Sequence, residues 1–282
     1  MKPQKHGSFH QKHSLGQNFI EDEALLSQLA ELSLVTAEDC VLEIGPGFGA
    51  LTKPLAVRAK QVVSLEIDRT LIPILNVTLE KYANARVICD DVMRTNLSAL
   101  VAEAFGADCP SLRVAANLPY YITTDVLTKL MRELPQAKSI AVMIQKEVAQ
   151  RICAQAGTAQ YGAFTLLCQY YADCELLYDV PPSCFLPAPK VTSSVIRMTV
   201  RGKPPVEVPD ETLFFQVVRA AFAQRRKTLV NALSTLLGKD VDKSTIKSLI
   251  CACNLTETVR GERLSFADFA ELTQKIVKLR QK

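Results

Sequence analysis

From residue 40 to residue 200 the chain alternates short apolar runs with longer segments of helical period, and this restricts the possible folds more than any other feature. Strand-like runs fall at 40–45, 61–67, 85–89, 112–116, 139–144, 174–180 and 194–200. Helical spacing fills the intervals, at 20–35, 51–60, 69–82, 97–105, 124–133, 147–154 and 163–171. A strand that pairs in parallel with the next must return through a crossover, and a helix is the usual one. The chain therefore reads as α/β, with a mostly parallel seven-stranded sheet and helices on both faces. The last two runs, joined by a long connection, suit antiparallel strands at a sheet edge. Residues 1–19 lack hydrophobic period and read as a flexible basic arm ahead of a main domain over 20–201. The polar, Pro-rich stretch at 202–209 reads as a linker. Beyond it Leu213, Phe214, Val217, Val218 and Ala221, then Leu229, Val230, Leu233, Leu236 and Leu237, follow helical spacing. Two further helices, at 243–253 and 265–280, complete a small all-α domain over 210–282.

Composition removes several classes of function. No apolar run approaches the ~20 residues that would span a bilayer, so no membrane partner is expected. The opening MKPQKHGSFHQKHS is basic without an apolar core, unlike a signal peptide. The nine cysteines are odd in number and lack Cys-x-x-Cys spacing. Cys251 and Cys253 alone do not make a metal site, so no metal is expected. Most cysteines sit among apolar neighbours and read as buried reduced thiols in a reducing cytoplasm. Net charge is +4, divided as +3 over the first twenty residues, −4 over 21–201 and +5 over 202–282. Positive charge at both ends suits a polyanionic partner, although ordinary surface lysine also accounts for it.

Four strand ends carry polar or glycine residues. The run at 41–44 empties into Gly45-Pro46-Gly47-Phe48-Gly49, where glycine allows a sharp turn and close backbone approach to a ligand. Glu66 ends the next strand, 21 residues beyond Gly45, where a carboxylate can accept both hydroxyl protons of a ribose. Asp90-Asp91 follow the third strand, and an acid there can receive an adenine amino group. The run at 112–116 delivers Asn117-Leu118-Pro119-Tyr120. An amide can accept from an amino group, proline sets φ near −65°, and a tyrosine ring can stack on a base for ~1–3 kcal/mol. Helix capping accounts for one or two of these acids. Four polar strand ends in register favour a binding crevice at the carboxyl edge of an open sheet.

These residues resemble a known family. Residues 43–49 (E-x-G-P-G-x-G), 66–68 (E-I-D), 90–92 (D-D-V) and 117–120 (N-L-P-Y) look like S-adenosylmethionine-dependent adenine methyltransferases acting on ribosomal RNA. Lys12–Phe19 resembles the family's opening K-x-x-G-Q-N-F, Pro182–Val191 its F-x-P-x-P-x-V segment, and Phe222–Leu229 its F-x-x-R-R-K-x-L helix. The likeness covers nearly the whole chain and is closest to the small-subunit ribosomal RNA adenine dimethyltransferases. It implies a Rossmann-like class I methyltransferase fold and S-adenosylmethionine as methyl donor. The substrate it implies is small-subunit ribosomal RNA, methylated on two adjacent adenines near its 3′ end within a pre-ribosomal subunit, by a monomer. Carried over by position, Asn18 and Ile20 would close over the cofactor's methionine end, with Gly45 and Gly47 beneath it. Ile20 stands where the family usually has leucine. Glu66 would hold the ribose and Asp91 the cofactor adenine, with Asn117 between cofactor and target. Tyr120 and Phe185 would sandwich the target base, and a core aromatic is the other reading of Phe185.

The sulfonium is already activated, so positioning is the main task. Hydrogen bonds from the adenine amino group to the Asn117 side chain and the Leu118 carbonyl would favour a pyramidal nitrogen. Pro119 shapes that turn and removes a competing N–H. His6, His10 and His13 all lie in the arm, so no histidine base is placed there. Arg225, Arg226 and Lys227 read as phosphate contacts near a helix start, where three cations oppose the dipole; if that helix continues unbroken from Leu213, a solvated face is the other reading. Lys2, Lys5 and Lys12 could add to them. Two competing readings are a large-subunit RNA methyltransferase and a non-catalytic RNA-binding assembly factor.

Overall fold

The structure, a computed structural model, describes residues 19–20, 22–106, 109–238 and 241–281. The arm through residue 18 lies outside them, including Asn18, the three histidines and Lys2, Lys5 and Lys12.

One seven-stranded sheet organises the α/β part. Its strands are β2 (Cys40–Ile44), β3 (Gln61–Glu66), β4 (Ala85–Cys89), β5 (Leu112–Asn117), β6 (Ala137–Gln145), β7 (Ala172–Val180) and β9 (Ser193–Val200). The order across the sheet is β4-β3-β2-β5-β6-β9-β7, and the four pairings from β4 to β6 are parallel. The crossovers are α2 (Thr52–Arg58), α3 (Ile72–Thr78), α4 (Leu97–Phe105) and α5 (Thr123–Glu133). Every residue of β2 is buried, as a central strand covered on both faces requires. The order reverses between β2 and β5, which places a crevice beyond their carboxyl ends.

The first helix is shorter than its spacing suggests. α1 runs Glu23–Leu32, because Asp22 caps it by accepting from the N–H groups of Ala24 and Leu25. Ile20 therefore leaves the helix and enters β1 (Phe19–Ile20), a two-residue strand that pairs antiparallel with β8 (Phe185–Leu186).

Two compact units result: one comprises the chain to Lys146 with Leu176–Met198, the other Glu147–Glu175 with Thr199–Lys282. The chain thus passes between units at 146/147, 175/176 and 198/199, rather than once at 202–209. The extra residues of the second unit carry α6 (Lys146–Ile152) from its second residue and α7 (Ala163–Tyr171). They are followed by α8 (Glu211–Ala223), α9 (Leu229–Leu237), α10 (Lys243–Cys251) and α11 (Phe266–Arg280). The cause is packing: Ala154, Tyr161, Leu166 and Tyr170 join Phe214, Phe215, Leu233 and Phe269 in one core. Tyr170 lies 5.4 Å from Phe214 and 5.2 Å from Phe215, ring centre to ring centre. The first unit's core gathers Leu26, Leu29, Val41, Leu55, Val62 and Met143 with Ile20 and Phe185.

Cysteine burial is lower than the apolar neighbourhoods suggest. Cys40, Cys168 and Cys253 are buried, whereas Cys89 and Cys251 are exposed. Among the described residues no helix is long and apolar enough to cross a membrane.

Candidate active site

The parallel register sets Ile44 beside both Leu65 and Ala116, and Glu66 beside Cys89. Hydrogen bonds continue the ladder past the strands: Gly45 N–H donates to Leu65 O at 2.9 Å, and Asp90 N–H to Glu66 O at 3.0 Å. Leu118 N–H donates to Met143 O at 3.1 Å. The sequence-predicted residues Gly45, Glu66, Asp91 and Asn117 thus stand along one edge.

The glycine turn is built for approach. Gly45 and Gly47 have φ of 69° and 58°, a region that L side chains rarely adopt. A Cβ on Gly45 would meet nothing within 4 Å, so this backbone faces open space. A Cβ on Gly47 would come 3.0 Å from the Phe19 ring, which lies 4.4 Å from the Phe48 ring. Phe19 therefore covers the turn, a role that the sequence reading gave only to its neighbours.

Glu66 is 5% exposed. Its Oε2 accepts from Gly47 N–H at 3.2 Å and its Oε1 from Asp68 N–H at 2.8 Å. Burial pushes its carboxyl above the ordinary value, and the backbone N–H groups of Asp68, Gly47 and Ile67 pull it partly back. Beneath lies Glu43, 1% exposed, whose Oε2 accepts from Thr52 Oγ1 at 2.7 Å and Ser64 Oγ at 2.6 Å. Burial pushes Glu43 up to about 7, against the two hydroxyl donors and with help from nearby Glu66.

Asp91 is half-buried and also serves its own turn. Its Oδ1 accepts from Met93 N–H at 2.9 Å, and Arg94 Nε lies 3.5 Å from Oδ2. Asp91 therefore braces a turn and caps no helix, since Asn96 caps α4 by accepting from Ala99 N–H.

Asn117 ends β5 half-buried, paired with Met143. Pro119 O accepts from Ile122 N–H at 3.3 Å and Thr123 Oγ1 at 3.0 Å, so the tetrapeptide turns directly into α5. Leu118 is buried, and Tyr120 is half-buried with its hydroxyl 2.6 Å from Ser193 Oγ. Burial raises the Tyr120 phenol, and the Ser193 hydrogen bond opposes this. Ser193 carried no sequence signal. Phe185 sits opposite Ile20 in the β1–β8 pair; both are 5% exposed and packed with Met143, Val180 and Val195. This burial gives Phe185 the packing role that was its other reading.

The basic triplet lies in the second unit. Arg225, Arg226 and Lys227 are exposed in the turn between α8 and α9, not within a helix. A helix C-terminus favours cations, so the end of α8 offsets the unfavourable approach to α9. Arg225 Nη2 donates to Ala159 O at 2.7 Å and Tyr161 O at 3.0 Å, which gives it a structural duty that spacing did not reveal.

This geometry can be set beside known proteins. The sequence profile of ribosomal RNA adenine dimethylase matches residues 8–275. Ribosomal RNA small subunit methyltransferase A of Geobacillus thermodenitrificans is 47% identical, over 95% of this chain and 92% of its own. The protein of the same name from Alkaliphilus oremlandii is 45% identical, over 94% and 91%. Among solved structures, a dimethyladenosine transferase from Plasmodium falciparum superposes with a TM-score of 0.76 at 24% identity, over 92% and 98%. The 23S rRNA methyltransferase ErmE does so at 0.68 and 22%, over 92% and 100%. The two superpositions carry the Rossmann-like fold with its C-terminal helical region; the profile and the sequence relatives carry more, and by them this chain belongs to the ribosomal RNA adenine dimethylase family.

Proposed function

We propose that this protein transfers methyl groups from S-adenosylmethionine to the exocyclic amino nitrogens of two adjacent adenines near the 3′ end of small-subunit ribosomal RNA, giving N6,N6-dimethyladenine. It does so as a monomer in the cytoplasm, on a pre-ribosomal subunit late in assembly. The observation that carries the reading is the alignment of Asn117–Tyr120 beside the glycine turn and Glu66 on one sheet edge. The relatives at 45–47% identity are named for the small subunit, which favours that RNA over the large-subunit alternative.

The residues fit the cofactor. The space in front of Gly45 leaves its backbone open to a ligand, and Glu66 presents an oriented carboxylate to a ribose. When bound, S-adenosylmethionine supplies an electrophilic methyl group. Glu66 accepts from the ribose hydroxyls and Asp91 from the adenine amino group, while Gly45 and Gly47 line the turn and Ile20 closes one side; Asn18, given the same role by the resemblance, lies outside the described residues. For the first transfer Asn117 and the Leu118 carbonyl accept the two amino protons of the target base and hold its nitrogen lone pair toward the donor; for the second, one of them accepts the single remaining proton and the pocket leaves room for the methyl already added. Pro119 keeps a competing N–H out of the turn. Tyr120 stacks on the base, which must leave its helix to arrive there. Phe185 backs the opposite wall, and contact with its ring requires the base to meet a mostly covered side chain. Arg226 and Lys227, with Arg225 behind them, take backbone phosphates.

The test is methyl transfer to under-methylated small subunits and to naked RNA, with the modified bases mapped. Modification of adjacent adenines near the 3′ end is expected. Asn117→Ala should abolish transfer and keep RNA binding; lost binding would make Asn117 structural, and modification of large-subunit RNA alone would overturn the substrate.

A further inference from the structure

We propose that Ser193 is a positioning residue that fixes the base-stacking ring of Tyr120 before substrate arrives. The inference rests on the stacking role given to Tyr120 above. The backbone of the 117–120 turn is held by Leu118 N–H to Met143 O and by the two donors to Pro119 O. Those bonds locate the Tyr120 Cα and do not reach its hydroxyl. The hydroxyl tether to Ser193 Oγ, at 2.6 Å, fixes the far end of the ring and so the direction of its long axis.

Ser193 is itself a firm anchor. It is fully buried and begins β9. The residue before it is tied by Lys146 N–H to Thr192 O at 3.0 Å. The residue after it is tied by Ser194 Oγ donating to Asp179 Oδ1 at 2.6 Å, and Asp179 Oδ2 in turn accepts from Lys146 Nζ at 2.6 Å. Ser193 thus presents its hydroxyl from a strand start pinned on both sides. The tether crosses 73 residues of sequence, joining the catalytic turn to the strand that follows the Pro-rich segment. A ring already held in its bound orientation avoids an ordering cost on binding.

Three variants test this: Ser193→Ala, Tyr120→Phe and the double substitution. Each breaks the same hydrogen bond while keeping an aromatic ring at position 120. Each is expected to lower kcat/KM for RNA by about three- to tenfold, mainly through KM, with the double variant no worse than either single one. Ring signals of Tyr120 in protein labelled at tyrosine, identified by their absence in Tyr120→Phe, should broaden or shift in Ser193→Ala without any substrate present. Losses that multiply, an unchanged kcat/KM in Tyr120→Phe, or unaltered Tyr120 signals would overturn the proposal. Should the parent fail to methylate RNA, the functional reading falls, and the ring signals still decide whether Ser193 fixes the ring.

Discussion

Glu43 makes the end of β2 sensitive to pH, and the sign can be worked out from its surroundings. Unfolded, its carboxyl titrates near the ordinary 4.5; folded, burial pushes it up to about 7. Between those values the folded chain keeps a proton that the unfolded chain has released. Stability therefore falls as pH rises through the window, with no loss below 4.5 and the full loss above about 7. The gap corresponds to ~3 kcal/mol, an order-of-magnitude figure. Glu66, also raised by burial, adds a slope of the same sign, so the parent alone does not isolate Glu43. Glu43→Gln does. The amide oxygen can accept from Thr52 and Ser64 as Oε2 does now, and it does not titrate. Hydrogen exchange in peptides from β2 and β3, corrected for the intrinsic pH dependence of exchange, gives local stability from pH 5 to 8.5. The stability of Glu43→Gln minus that of the parent should climb by ~2–3 kcal/mol across this range. A difference that stays flat with pH would refute the reasoning, because it would mean that Glu43 ionises in the folded state as easily as in the unfolded chain.

Three further outcomes follow from the structure. Arg225→Ala should cost ~0.5–1.5 kcal/mol of stability, since Ala159 O and Tyr161 O both lose a donor and water only partly replaces it; Arg226→Ala should leave melting unchanged and lower the salt slope of RNA binding by about one. Equal melting losses at both positions, or none at Arg225, would contradict this division. Glu66→Ala should weaken S-adenosylmethionine binding by about tenfold or more, measured by calorimetry, as a charge-assisted pair of ribose contacts is lost; unaltered affinity would remove Glu66 from the ribose. Gly261→Ala should lower the urea midpoint by ~1–3 kcal/mol in stability, because its Cβ would stand 2.7 Å from the backbone oxygen of Ala221, which cannot swing aside. A parent-like midpoint would show that α8 gives way freely.

How much of this was legible in the sequence depends on the range of the interaction. The candidate edge could be read because each part is local: a strand run, then one or two special residues, with parallel topology aligning the ends. Glycine at 45 and 47, Glu66 and Asn117 needed no knowledge of any distant pairing beyond that topology. The β1–β8 pair could not be read in this way. Two residues carry no period, and Ile20 fits the helical spacing of its successors; the boundary signal was Asp22, a good cap ahead of Glu23. Burial of Phe185 followed from the same missed pairing.

The same division explains the unit boundary and the serine. The Pro-rich stretch at 202–209 announces itself by composition, whereas α6 and α7 enter the second unit's core through side chains that would suit any core. Apolar spacing says that Tyr170 is buried but does not say that Phe214 and Phe215 bury it. Ser193 is the sharper case. A serine at a strand start is ordinary in composition, and its worth here comes entirely from a partner 73 residues earlier. Local patterns therefore reveal which groups gather on the sheet edge, and the fold is needed to show what holds those groups still. The Ser193–Tyr120 double substitution separates the two: a ring that stacks equally well without its tether would mean that the local pattern already contained all that the chemistry needs.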